Sequence, residues 1–64
     1  MGYYENYVPA DQKRFTEMLE DFRRLTSREA LKTHVFLYTM DMRYDRQDLM
    51  VAWGRVEREK GWKD

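Results

Sequence analysis

Apolar residues recur at three- and four-residue steps through the first half of the chain. Phe15, Met18, Leu19, Phe22 and Leu25 form one stripe, while Lys13, Glu17, Glu20 and Arg24 fall on the opposite face. That period predicts an amphipathic helix over 11–25. Asp11 stands in front of it as an N-cap, and Glu20 with Arg24 adds a favourable pair one turn apart. Thr26-Ser27-Arg28-Glu29 then has the form of a capping box, a hydroxyl residue with a glutamate three positions on.

A second helix is expected over 27–42. Leu31, His34, Val35, Tyr38 and Met42 share its inner face, which Ala30 and Leu37 widen, and Phe36 and Met40 stand almost opposite. Residues 34–42 also alternate as a strand would. Few β-branched residues and no flanking Gly or Pro favour the helix. Asp45 and Asp48 mark a third start, and Leu49, Ala52, Trp53 and Val56 point inward on a helix over 46–60. Gly61 suits the left-handed residue that ends a helix, with Trp62 folding back onto Val56. The reading is an all-α domain, a three-helix bundle over 11–64, preceded by an extended aromatic arm over 1–10 that Pro9 keeps out of the helical region.

A chain of 64 residues holds one domain and a thin core. There is no cysteine, which rules out disulfides and thiolate metal sites. No basic segment followed by an apolar one opens the chain, and the longest apolar run spans 35–38. A cytoplasmic location is therefore expected. Twelve basic and twelve acidic side chains cancel, which argues against an electrostatically driven nucleic-acid binder.

The inventory for catalysis is poor. His34 is the one histidine and sits on an apolar face, where a satisfied boundary residue is expected; no nucleophile motif or phosphate loop accompanies it. Asp41, Asp45 and Asp48 cluster near the second helix junction, but their spacing does not match a calcium loop and its turn glycine is missing. No enzyme activity, cofactor or metal is expected.

Two features remain as candidate contacts. One is the outer stripe of helix 3, Gln47, Val51, Gly54, Arg55 and Arg58, which would be the recognition helix of a helix-turn-helix. The other joins Tyr3, Tyr4, Tyr7 and Val8 of the arm to Phe36 and Met40, because aromatic residues, methionine and arginine are what interface cores favour. The arm either folds over the outer side of helix 2 or serves a partner. The expected function is a non-enzymatic interaction protein that binds and regulates or inhibits a larger protein or complex, of the compact kind that viral and mobile-element genomes encode. Its contacts would be Tyr3, Tyr4, Tyr7, Phe36, Met40 and Val51, with Arg55 and Arg58 at the rim. The alternatives are a helix-turn-helix-like DNA-binding regulator and a structural homo-oligomer such as a homodimer; no membrane partner is expected.

Overall fold

The computed structural model describes residues 6–62. Tyr3 and Tyr4 lie outside them. Among the described residues there are three helices and no strand: α1 (Gln12–Arg24), α2 (Arg28–Thr39) and α3 (Arg46–Lys60).

Each helix begins at the residue type its backbone demands. Asp11, Ser27 and Asp45 are extended N-caps whose side chains accept from the N–H groups of Arg14, Ala30 and Asp48 respectively. Each thereby satisfies one of the donors that a helix start leaves without an intrahelical partner. At the far end of α3, Gly61 takes φ 74°. The N–H of Trp62 donates to the Glu57 carbonyl at 2.9 Å, and that of Gly61 to the Arg58 carbonyl at 3.2 Å. This is the expected Schellman closure, and Trp62 packs against the core. The last turn of α1 is closed by a side chain from elsewhere. Lys60 Nζ donates to the carbonyls of Arg23 at 2.6 Å and Leu25 at 2.9 Å.

The second helix stops at Thr39, three residues short of the expected end at Met42. The N–H of Met40 is shared between the Phe36 and Leu37 carbonyls, and that of Asp41 reaches only Tyr38, so the backbone tightens and leaves the helix. The Asp41 carboxylate then takes the Arg43 N–H at 3.0 Å, a local bond that competes with helix continuation. Met42, expected on the inner face, is 97% exposed in this turn. The alternating strand reading of 34–42 fails for a related reason. Leu31, Val35 and Tyr38 already bury one side of a helix, which a strand would have split between two faces.

The core gathers Phe15, Met18, Leu19 and Phe22 of α1, Leu31 and Val35 of α2, and Leu49, Val51, Ala52 and Val56 of α3. The third helix packs against both others, and α1 and α2 meet each other less. Being central, α3 is enclosed around most of its circumference. Val51 is 1% exposed and Gly54 and Glu57 are buried, so the outward stripe expected to carry Val51 and Gly54 does not exist as a free face. Trp53 is half-buried at the edge of the core.

Polar clasps tie the helices at their margins. Arg23 of α1 pairs through two nitrogens with Glu59 of α3, at 2.9 and 2.7 Å. The Tyr38 ring meets Phe22 and Tyr44 edge to face, with centroids 5.4 and 4.6 Å apart, and its hydroxyl donates to Asp21 at 2.8 Å. Burial, then the carboxylate acceptor, pushes the Tyr38 phenol well above the usual tyrosine range.

Candidate interaction surfaces

The residues singled out for partner contact fall into two groups. Phe36 on α2 and Met40, the residue that caps its C-terminal end, lie one turn apart on the side away from Leu31 and Val35, and are 62% and 60% exposed. Leu37 joins them at 52% exposure. It was expected on the inner face, but helix 2 is buried only along Leu31 and Val35, with His34 and Tyr38 half-buried beside them. Leu37 lies three residues before Met40 and borders the Phe36–Met40 pair, so the three make an apolar ridge about one turn long.

Tyr7 and Arg55 belong to the other group and meet at Phe15. The Tyr7 ring packs on Phe15 with centroids 5.6 Å apart, and the Arg55 guanidinium carbon stands 5.7 Å from the Phe15 ring centroid. Tyr7 is therefore a piece of the domain's own core, and Arg55 is half-buried over it rather than presented on a rim. Val51, also expected at the surface, is interior because α3 is the central helix. Arg58 is exposed near the end of α3. The described part of the arm, 6–10, folds onto the bundle, and Tyr7 seats it on α1 and α3, not over the outer side of α2.

What seats it is Asp48, which the sequence marks only as a helix-start residue. Its side chain is 1% exposed. The carboxylate accepts from the Tyr7 hydroxyl at 2.5 Å, the Ala10 N–H at 2.9 Å and the Asp11 N–H at 3.1 Å. A buried carboxylate needs several donors, and here the arm provides them. No local pattern announces this, because the donors lie 37 to 41 residues away.

The remaining candidates for chemistry are each held in a structural role. His34 Nδ1 stands 3.0 Å from the Ala30 carbonyl, one turn back on α2. Asp41 binds the Arg43 guanidinium at 2.7 Å, which holds its carboxyl down at about 2, and Asp45 caps α3. The three aspartates thus face different partners. Among the described residues no group of three or more His, Cys, Asp or Glu side chains is placed to hold a metal ion. No helix among them is long and apolar enough to cross a membrane. No family model, curated protein or solved structure matches the chain.

Proposed function

We propose that this chain is a non-enzymatic interaction protein that docks the outer face of α2 into an apolar groove on a larger protein and regulates that protein by occupying it. The observation that carries the reading is the exposure of Phe36, Leu37 and Met40 on one ridge, opposite the buried Leu31 and Val35. A ridge on a single helix is convex, so its natural complement is concave. Helix-in-groove recognition reads such anchors at one-turn spacing. An aromatic side chain flanked by a methionine and a leucine supplies contact area and adapts to the groove's contour.

Helix-turn-helix recognition of DNA has less support. The charges balance, and the stripe of α3 that would enter a groove is interrupted by the burial of Val51 and Gly54. A homo-oligomer using the same ridge of α2 is the competing protein-level reading.

The test compares wild type with two double variants, Phe36→Ser with Met40→Ser and Arg55→Ala with Arg58→Ala, in affinity capture from the native host followed by mass spectrometry. The expected result is a protein retained by wild type and by the arginine variant but lost with the serine variant, whose circular dichroism and thermal midpoint match wild type. Loss with the arginine variant alone overturns the reading. So does sedimentation equilibrium showing that wild type pairs with itself through this ridge.

A further inference from the structure

We infer that the segment Asn6–Ala10 is a releasable strap, closed onto the bundle by the Asp48 carboxylate and able to open while α1, α2 and α3 stay packed. Three of the hydrogen bonds that close it converge on one residue. Tyr7 Oη, Ala10 N and Asp11 N all donate to Asp48, which sits in the first turn of α3 and is nearly inaccessible to solvent. A carboxylate in the first turn of a helix ordinarily serves its own helix start. This one instead turns to the strap, while the helix start is capped by Asp45.

The rest of the strap is lightly held. Asn6, Val8 and Ala10 are exposed, Val8 at 83%. Among the described residues the strap shares no backbone–backbone hydrogen bond with the helices. Segments with few buried contacts open locally at a free energy far below that of global unfolding. Opening this one would withdraw the Tyr7 ring from Phe15 and the hydroxyl from Asp48, yet leave the seam of Met18, Phe22, Ala52 and Val56 intact. The open state differs from the closed one in a defined way. It uncovers the Phe15 face and an acidic side chain between α1 and α3, and it frees Tyr7 for a partner. The bundle thus carries a covered second surface, distinct from the ridge on α2 and independent of what that ridge binds.

Amide hydrogen exchange by NMR on the full chain tests this. Tyr7→Phe keeps the ring on Phe15 and removes one donor to Asp48, so the fold is preserved by design. Exchange at the Ala10 and Asp11 amides should quicken about ten- to a hundred-fold in this variant, the range spanned by the loss of one hydrogen bond to a charged group. The amides of Phe22, Leu31 and Val56 should keep their wild-type rates. Asp48→Asn, which removes the charge, should quicken Ala10 and Asp11 further; if that variant does not fold, Tyr7→Phe decides alone. Unchanged exchange at Ala10 and Asp11 overturns the inference. Equal quickening at Phe22 and Val56 also overturns it, because strap and bundle would then open as one unit.

Discussion

Arg28, the first residue of α2, reaches across to Glu57 near the end of α3, its Nε 3.2 Å from Oε2. Glu57 is buried whereas Arg28 is half-exposed, so the two partners are not equivalent. Arg28→Ala leaves a buried carboxylate without its cation and should lower stability by about 1–2 kcal/mol, between exposed and fully buried pairs. Replacing both together, Arg28→Ala with Glu57→Leu, should recover most of the loss. Urea unfolding of the single and double variants at neutral pH measures both effects.

Phe22 is fully buried in the last turn of α1 and carries the largest fully buried side chain. Phe22→Ala should cost about 3–5 kcal/mol, enough to unfold so small a domain. Trp53 lies at the core edge, and its Nε1 is buried without a hydrogen-bond partner among the described residues. Trp53→Phe, which removes that donor, should therefore be much milder than Phe22→Ala. Thermal melts followed by circular dichroism rank the two.

Gly61 has a positive φ and nothing within 4 Å of where a Cβ would stand. The whole penalty of Gly61→Ala is then backbone strain, about 1–2 kcal/mol, without a steric clash. Gly61→Asn should lose less, because asparagine tolerates the left-handed region. A smaller loss for alanine than for asparagine, read from urea midpoints, would contradict this account.

Acid and alkali should act through different groups. Asp41 is held down from 3.8 to about 2 by the Arg43 side chain, and Glu59 is lowered by its hydrogen bonds from Arg23. Depressed carboxylates stabilise the fold above their ordinary range, and that contribution is lost as pH falls from near 4 towards 2. Tyr38 is raised, so its contribution is complete below the ordinary tyrosine range and is lost as pH climbs beyond it. Tyr38→Phe should therefore flatten the alkaline side of a stability–pH profile and leave the acid side unchanged. Asp41→Asn should do the reverse, with a small amplitude because the group is exposed and screened.

Helix starts were the most legible part of the fold. Asp11 and Asp45 cap as expected, and α2 is capped by Ser27, one residue beyond the Thr26 of the expected capping box; each cap is a bond three residues long, written in local sequence. The inner stripe of α1 was equally clear, because that helix buries one face only. The third helix was misjudged on its outer side. A wheel assumes one buried face, and the central position of α3 encloses Val51 and Gly54 as well. The outer ridge of α2 was visible in Phe36 and Met40, and Leu37 was misplaced because its angle lies between the two faces. Asp48 was legible as a residue of the third helix start but not as the seat of the arm. Its partners Tyr7, Ala10 and Asp11 are brought to it only by the packing of α1 on α3.

Lys60 closing the last turn of α1 has a consequence for how the chain assembles. Together with Arg23–Glu59 and the bonds to Asp48, it joins residues 35 to 41 positions apart, all between the front of the chain and its last helix. These contacts form only after the chain has closed a loop that contains the whole of α2. Closure entropy grows slowly with loop length, so an insertion of ten glycine and serine residues between Leu25 and Ser27 should slow folding only modestly. Removing Lys60 takes away an end contact of that loop and should act mainly by hastening unfolding. The last turn of α3 thus acts as the fastener of a ring whose other side is α1, with α2 threaded into the circuit between them.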